Sequence, residues 1–391
     1  MTINNIKTKN NEPKPTNAEI LQAFANDNAV SREVASTINE VGTENMSTLY
    51  SALTGNPNRR NEFVSSLYNP TIVTMFYSKF YQDKLAYFLN GDLAETDSIQ
   101  QIYVQRSLRK GFAEHFDENH NSVEGDLIAR VKPVVFRNVI CTNFQHKFKV
   151  SVDMRELKKA MLKEYGLFDF IGQLLASNIN GANKQEFDDI HALIDSPVEK
   201  SYMVDAYTEQ KIPKGLITQA VEEKRTAMFV EIPNSDPLTL AEKIIQYSGD
   251  LEEYSSDFSL AQDDEGEYIE TFTNKDSLVM VMTNEMRGKI NVQALAQSFN
   301  IEFLELPQRI LTVKSFTDYN LTDWNTTTTT HKDKILGILM DKDAIQCWDT
   351  FKETGQFTNV EGKFYNSFLH HEGIKAQCPF CQFVVFYTKL S

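Results

Sequence analysis

One stretch of about 30 residues, from Leu167 to Pro197, constrains this chain more than any other part of it. Its apolar residues recur every three or four positions, which is the spacing of an amphipathic helix. Such a helix is roughly 45 Å long, as long as a domain is wide. Gly181 lies within the apolar stripe and costs about 1 kcal/mol relative to alanine, so we expect a bend or break to occur there. The only ligand-type residue near the stripe is His191, and we therefore predict a structural helix on which other segments pack.

The segment before this helix contains two extended arms that have little apolar material of their own. Residues 99–110 alternate polar and apolar, residues 131–152 are rich in strand-forming residues, and the residues between them are polar. Asn90-Gly91-Asp92 is a hairpin-type turn signal, and the aromatic stretch 68–89 predicts one or two strands packed on other parts. A long two-stranded excursion is marginally stable alone in water. We therefore predict that residues 83–152 need a partner surface, which is a first indication of assembly.

The rest of the chain divides into a polar N-terminal part and a mixed α and β part. Residues 1–16 predict a mobile arm, and short amphipathic helices are expected from there to residue 68. A capping-box pattern at Asp153–Glu156 predicts a helix that ends near Gly166. From residue 202 onward the pattern is that of a compact α/β or α+β module. Its predicted strands are 226–233, the start of 277–290, 305–316 and 334–343, its predicted helices are 238–249 and 291–300, and residues 355–390 are β-rich.

The distribution of charge argues against one class of protein. The chain has 391 residues and a formal net charge of −15, whereas a general nucleic-acid binder needs an excess of Lys and Arg. Nine basic residues lie between Arg130 and Lys163, and nine acidic residues without a basic one lie between Asp250 and Glu270. Both stretches are typical of solvated surface, and opposite charges of this kind can also meet across the subunits of an assembly.

The ends and the cysteines of the chain indicate a reducing compartment. The first residues are polar and lack the apolar core of a signal peptide, and no apolar run approaches the ~20 residues that cross a bilayer. The four cysteines, Cys141, Cys347, Cys378 and Cys381, are too few and too scattered for a disulfide framework. We therefore expect a protein that is made and folded in a cytoplasm and has no membrane partner.

The sharpest local motif is Cys378-Pro-Phe-Cys381, which follows His370 and His371. Two thiolates at this spacing and a nearby imidazole are compatible with zinc, but a structural site needs four ligands and the sequence contains no second pair of cysteines. A redox role needs the motif at the start of a helix, whereas this motif runs into a predicted strand. Two buried or half-buried cysteines are the simplest interpretation, and the zinc and redox alternatives stay open.

The remaining motifs give no support to an enzyme. The acidic stretch resembles a calcium loop, but aligning Gly266 with the invariant glycine puts Ala261 and Phe272 at the first and twelfth ligand positions, so the motif fails. The sequence contains no GxGxxG, GxxxxGK[ST], HExxH or GxSxG pattern. We therefore expect no catalytic residue, no cofactor and no metal-binding residue.

Three blocks of the sequence, taken together, resemble one protein family. The block LAYFLNGDLAETDSIQQIYVQ, at 85–105, is similar to the start of the long loop in the major capsid proteins of small short-tailed phages of the Bacillus phage phi-29 type. Residues 276–316 resemble the middle of the central domain of those proteins. Residues 338–386 resemble their last segment, in which a strand leads to Asp-Lys-Asp and then to an aromatic hairpin and a closing strand. The resemblance covers roughly residues 65–390 in order.

This resemblance implies an α+β fold of the Hong Kong 97 type, the fold of these capsid proteins. The parts that it implies are an N-terminal arm at 1–65, a peripheral-domain strand at 66–82, an extended β-hairpin loop at 83–150 lying over a neighbouring subunit, a peripheral domain with the long spine helix at 151–219, an axial domain around the five- and six-fold centres at 220–339, and a C-terminal return to the peripheral domain at 340–391. A chain that stops at Ser391 is expected to lack the immunoglobulin-like domain of the best-known member. The Cys378 and Cys381 pair is outside the family pattern.

The function implied by the resemblance is that of a major capsid protein, located in the virion, that self-assembles into the icosahedral head around the phage genome without catalysis. Its implied partners are copies of itself in pentamers and hexamers, a scaffolding protein, the portal, and head fibre or decoration proteins. The shell would enclose double-stranded DNA without sequence-specific binding, and an acidic inner face would keep that DNA from adhering. The alternatives are an encapsulin-like compartment, which shares the fold, and a zinc-binding protein that uses Cys378 and Cys381.

Overall fold

The computed structural model describes residues 16–26, 32–66, 81–93, 96–107, 133–162, 166–203, 209–297, 309–321, 333–359 and 362–389. These residues fall into two compact units. Unit 1 draws on Met1–Asp83, Gln145–Asp188 and Phe351–Glu372, and unit 2 draws on Lys84–Phe144, Asp189–Thr350 and Gly373–Ser391.

Helices and strands both occur throughout the described ranges, as the α+β prediction requires. The helices are α1 (Asn17–Ala25), α2 (Arg32–Val41), α3 (Met46–Thr54), α4 (Pro57–Ser66), α5 (Met154–Leu162), α6 (Gly166–Ile194), α7 (Leu216–Glu222), α8 (Pro237–Asp250) and α9 (Asn284–Gln297). The strands are β1 (Leu89–Asp92), β2 (Ser98–Val104), β3 (Val135–Cys141), β4 (Phe144–Asp153), β5 (Lys200–Met203), β6 (Glu209–Ile212), β7 (Phe229–Glu231), β8 (Leu278–Thr283), β9 (Arg309–Val313), β10 (Lys334–Asp341), β11 (Ile345–Asn359), β12 (Phe364–Gln377) and β13 (Phe383–Thr388).

The short N-terminal helices of unit 1 share a core with α5, and residues of β4 and β12 complete it. The buried residues of this core are Ile20, Leu21, Val34, Ile38, Leu49, Leu53, Phe63, Val152, Leu157, Met161 and Tyr365. Polar contacts add to the packing, because the Asn17 amide donates to the backbone oxygen of Met161 at 2.9 Å and the Tyr50 hydroxyl donates to that of Met154 at 3.0 Å. The short helices predicted here are confirmed, and residues of the expected arm contribute to a folded core.

The predicted long helix is confirmed as α6, which runs through 29 residues. The helix is continuous through Gly181, so of the bend or break expected there the break does not occur. A Cβ atom at Gly181 would lie 3.3 Å from the ring of Phe148, so the missing side chain lets the aromatic ring of β4 approach the helix closely. Asn180 and Asn183 of the same helix bind the backbone of Tyr81, with the Tyr81 N–H donating at 2.7 Å and its oxygen accepting at 2.8 Å.

Unit 2 is organised around a five-stranded sheet with the order β7-β13-β10-β8-β9. Strand β10 is antiparallel to both β13 and β8, while β7 pairs in parallel with β13 and β9 pairs in parallel with β8. All six residues of β8 are buried, which explains its continuous apolar sequence. The last strand pairs with earlier structure, as the sequence predicts. The core residues are Val230, Ile232, Leu240, Ile244, Leu251, Leu278, Met280, Met282, Met286, Leu336, Leu339, Val384 and Phe386.

Two local predictions are corrected. Asn90-Gly91-Asp92 is not a hairpin turn but part of β1, which runs parallel to β11 with an irregularity at Gly91, whose φ is +115°. The Asn90 side chain accepts from the Cys347 N–H at 3.1 Å and thereby replaces a strand contact.

Helix α9 begins at Asn284, not at 291, because the Thr283 hydroxyl accepts from the Met286 N–H and the Met286 side chain is buried in the sheet core.

Three further sheets lie in the described ranges. Strands β1, β11, β12 and β4 form a four-stranded sheet in that order, and β2–β3 and β5–β6 are two-stranded. The predicted mobile arm up to residue 15, the aromatic strand at 68–80 and the polar tip at 108–132 lie outside the described residues. None of the helices in the described ranges is long and apolar enough to span a membrane.

Candidate assembly surface

The two predicted arms pair with each other as an antiparallel hairpin of β2 and β3. The register runs from Ser98 opposite Cys141 to Val104 opposite Val135. Because side chains alternate along a strand, this register sorts them onto two faces. The inner hairpin face carries Ile99, Gln101, Tyr103, Phe136, Asn138 and Ile140. The outer hairpin face carries Ser98, Gln100, Ile102, Val104, Val135, Arg137, Val139 and Cys141.

The inner hairpin face is fixed to unit 2. The Tyr103 ring stacks on Phe380 with 5.8 Å between centroids, and the Tyr103 hydroxyl donates to the backbone oxygen of Glu270 at 2.8 Å. Arg106, just beyond β2, forms an ion pair with the Glu270 carboxylate at 2.8 Å. Gln101 accepts from the Asn138 amide at 2.9 Å. The base of the excursion therefore packs on its own unit, whereas the sequence predicted that all of it needs an external partner.

The outer hairpin face is open and carries four exposed apolar residues. Ile102 is 58% exposed, Val104 55%, Val135 49% and Val139 51%. Val104 and Val135 are directly opposite each other in the register, so the exposed side chains form a continuous strip. Covering a half-exposed valine or isoleucine fully is worth about 1 kcal/mol, since complete burial contributes roughly 1.5–3 kcal/mol. An exposed strip of this kind on a soluble protein is typical of a contact surface.

The acidic stretch from Asp250 to Glu270 is an ordered surface segment of unit 2. Isolated bridges join Ser255 to Thr271 and Gln262 to Tyr268. The Asp263 carboxylate accepts from the N–H groups of Glu265 and Glu267 at 3.0 and 2.9 Å, so it closes a tight turn. Gly266 has a φ of +86° in this turn, which accounts for the glycine that resembles a calcium-loop position. The exposed acids are Asp250, Glu252, Glu253, Asp257, Asp264, Glu265 and Glu267.

The Cys378-Pro-Phe-Cys381 motif forms the turn between β12 and β13. The Cys381 N–H donates to the Cys378 oxygen at 3.3 Å, and the Cys378 N–H donates to the Ala344 oxygen at 2.9 Å. Both cysteines are free, Cys378 is buried and Cys381 is half-buried. The Cys381 thiol donates to the sulfur of Cys378, which lowers the pKa of Cys378 and, together with burial, raises the pKa of Cys381.

The two histidines that precede the motif in the sequence are not part of this turn. His370 and His371 lie within β12, whose extended backbone leads away from the turn. Over the described ranges, neither Cys378 nor Cys381 belongs to a group of three or more His, Cys, Asp and Glu side chains close enough to share a metal ion. Within the part of the chain that the structure describes, the fold therefore brings no third ligand to the two thiols of the zinc hypothesis.

Sequence reasoning missed a buried ion pair in unit 2. Lys375 and Asp189 are 1% and 0% exposed, and the Lys375 ammonium lies 2.8 Å from the Asp189 carboxylate. The same carboxylate accepts from Lys200 at 3.0 Å and from the Tyr202 hydroxyl at 2.8 Å. The Lys375 ammonium also lies 4.2 Å from the centre of the Phe144 ring. This network joins the end of α6 to β12 and β5, and its lysines have no distinctive pattern in the sequence.

The end of α6 is fixed by a second polar cluster. Asp195 accepts from the Tyr319 hydroxyl at 2.5 Å and from the Thr317 N–H, and Tyr319 also bonds the Thr218 hydroxyl at 2.6 Å. Burial raises the pKa of Asp195 despite these bonds. His191 stacks on Phe316 with 6.0 Å between centroids. The histidine beside the apolar stripe therefore packs against the segment after β9.

Solved structures resemble this fold. A chain of the capsid structure of Staphylococcus phage Andhra matches with a TM-score of 0.56 and 11% identity, over 79% of this chain and 85% of that chain. A chain from the structure of head fiber and inner core protein gp22 of native bacteriophage P68 matches with a TM-score of 0.55 and 10% identity, over 78% and 85%. The fold is thus the α+β capsid fold of the Hong Kong 97 type.

Sequence comparison then gives the family. The profile described as "Phi29-like phage major capsid protein" matches residues 24–387, and the chain belongs to this family. The major capsid protein of Bacillus phage GA-1 is 20% identical over 372 residues, which are 94% of this chain and 68% of the relative. That of Bacillus phage B103 is 18% identical over 347 residues, 88% of this chain and 67% of the relative. The protein is therefore a structural component of the virion whose copies assemble into the icosahedral phage head, and not an encapsulin-like compartment.

Proposed function

We propose that the outer hairpin face is the surface through which each copy holds a neighbouring copy in the shell, and that the chain acts by such contacts alone, without catalysis. The observation that carries this proposal is the contrast between the two hairpin faces. The inner face is fixed to its own unit by Tyr103, which stacks on Phe380, and by Gln101, whose amide donates to the Gln346 side chain at 3.3 Å, while the outer face leaves four β-branched residues about half exposed. Because every copy presents the same strip, closed symmetry multiplies a modest contact many times.

The wider set of partners and the division into parts are also proposals. The family resemblance supports pentamers and hexamers, a scaffolding protein, the portal, and head fibre or decoration proteins as partners. It also supports double-stranded DNA as the enclosed genome, held without sequence-specific contacts. The six parts keep the boundaries given above, with the extended loop at 83–150, the spine helix in 151–219 and the axial domain at 220–339. The negative charge of the Asp250–Glu270 surface supports weak adhesion of DNA wherever that surface faces the genome.

The test is a double substitution on the outer hairpin face, Val104→Asp with Val139→Asp. We expect the variant to fold, because both side chains are half exposed, and to lose at least ten-fold in the yield of closed shells. Two carboxylates buried at each contact would be desolvated without a partner. Circular dichroism reports folding, and sedimentation with electron microscopy reports shells, each with and without a scaffolding protein.

The matched control is Val198→Asp, which places the same charge at a valine that is 66% exposed outside the hairpin. Its shell yield should stay within two-fold of the unmodified chain. Normal shells from the double hairpin variant would show that another surface carries the assembly.

A further inference from the structure

We infer that Cys378 and Cys381 are a redox-active pair that closes to a disulfide when the protein leaves a reducing environment. Both residues are free thiols at the two ends of one turn. The Cys381 N–H bond to the Cys378 oxygen, at 3.3 Å, defines a four-residue turn. In such a turn the two Cα atoms are less than about 7 Å apart, which overlaps the range of 4.4–6.8 Å found in disulfides. This inference does not depend on the proposed role of the hairpin.

The two thiols also influence each other's ionisation. The hydrogen bond with Cys381 lowers the pKa of Cys378, which favours the thiolate that disulfide exchange requires. Cys381 is half-buried, so part of its surface is accessible at the turn.

The turn also lies directly beneath the hairpin described above. Phe380, between the two cysteines, stacks on Tyr103 at 5.8 Å and lies 6.5 Å from Phe136. A disulfide across the turn would hold the position of Phe380, and with it the platform for the inner hairpin face. Oxidation would therefore stiffen the base of the hairpin in particles that have left the host cell, where disulfides persist.

The reaction balances with a low-molecular-weight disulfide, such as glutathione disulfide, as the oxidant. The thiolate of one cysteine attacks a sulfur of glutathione disulfide and releases one glutathione thiolate, which leaves a mixed disulfide on the protein. The second cysteine loses its proton and attacks the protein sulfur of that mixed disulfide, which releases the second glutathione. Two cysteine thiols and one glutathione disulfide thus give one protein disulfide and two glutathione thiols, with two electrons passing to glutathione.

The test uses assembled shells of the full chain, treated with glutathione disulfide, quenched with acid and alkylated with N-ethylmaleimide. Trypsin cleavage after Lys375 and Lys389 gives the peptide 376–389, which contains both cysteines of the turn and neither Cys141 nor Cys347. We expect this peptide to change from carrying two alkyl groups to carrying none, lighter than the dithiol form by two hydrogen atoms. Dithiothreitol should restore both alkyl groups.

Two variants sharpen the result. In Cys381→Ser no second thiol is present, so glutathione should remain on Cys378, with at least ten-fold more adduct on peptide 376–389 than in the unmodified chain. In Cys141→Ser, which removes an exposed cysteine of the outer hairpin face, the disulfide should form as before. Two alkyl groups after oxidation, a persistent glutathione adduct in the unmodified chain, or stoichiometric zinc that protects both thiols would each overturn the inference.

Discussion

The two units of this capsid protein differ in charge and in the origin of their cores. Unit 1 contains 16 Lys and Arg against 17 Asp and Glu, a net charge of −1, whereas unit 2 contains 23 against 37, a net charge of −14. Almost all of the net charge of the whole chain therefore comes from unit 2. Composition argues against general nucleic-acid binding by unit 2, but it says little about unit 1, whose charges nearly cancel.

The cores differ in how far apart their members are in the sequence. In unit 2, whole strands are buried on both faces, and β8 and β10 provide continuous apolar runs. In unit 1, short helices with one apolar side meet residues more than 100 positions away, as when Leu49 and Leu53 share a core with Leu157. A buried strand can be recognised alone, while the buried side of a short helix is defined only by its partners. The comparison predicts that the two units depend on different kinds of residues.

The largest effect is expected in unit 2, from Lys375→Met. Removing the Lys375 ammonium leaves the buried Asp189 carboxylate with Lys200, whose side chain is 31% exposed, as its remaining cationic partner, and we expect a loss of about 4 kcal/mol in the free energy of unfolding. Chemical denaturation of the assembly-deficient Val104→Asp, Val139→Asp chain would measure it without interference from the shell. The control Lys389→Met removes an ammonium that is 45% exposed in an ion pair, and its effect should be much smaller than that of Lys375→Met because solvent screens the pair. Equal losses in both variants would refute a special role for the buried pair.

A smaller effect is expected in unit 1, from Leu53→Ala. Leu53 is fully buried among the N-terminal helices, so its truncation should cost about 3 kcal/mol through lost burial and a cavity. Hydrogen exchange on the amides of α2, α3 and α5 would show the loss directly. The control Leu162→Ala changes a leucine that is 53% exposed and should leave the same amides within about 0.5 kcal/mol. Unchanged protection in Leu53→Ala would mean that residues 16–66 are an arm after all.

The smallest effect is a dependence on pH in unit 2, at Glu285. Its hydrogen bonds to Lys289 and Lys334 lower its pKa to about 2 from an ordinary value of 4.5. A lowered carboxyl pKa gives stability that is present above pH ~4.5 and is lost as the pH falls through about 2. Because the Glu285 side chain is 52% exposed, solvent screening keeps this contribution below about 1 kcal/mol.

Glu285→Gln should therefore flatten the stability profile between pH 5 and pH 2. Thermal unfolding at several pH values would measure this, with Glu242→Gln on an exposed position of α8 as the control. If stability falls with acid in the same way in Glu285→Gln and in the unmodified chain, the ion pairs of Glu285 do not contribute to the acid dependence of stability.

Individual elements show why some predictions succeed. The helix α6 and the strands β8, β10 and β13 follow from periodicity and apolar runs, which are local properties of the chain. The turn signal at Asn90-Gly91-Asp92 failed because the same residues suit a strand irregularity when a parallel neighbour supplies the hydrogen bonds. The prediction of a break at Gly181 failed because the glycine there makes room for the ring of Phe148, 33 residues earlier.

The amino-acid sequence by itself determined the long helix, the buried strands of unit 2, the free cysteines and the resemblance to phage capsid proteins. Only the tertiary structure decided which face of the β2–β3 hairpin is open, that Lys375 is buried against Asp189, and that residues 16–66 share a core with α5. The physical reason is the range of the interactions. Backbone propensity and side-chain periodicity act over a few residues, whereas burial and charge pairing depend on partners that folding brings together from distant parts of the chain.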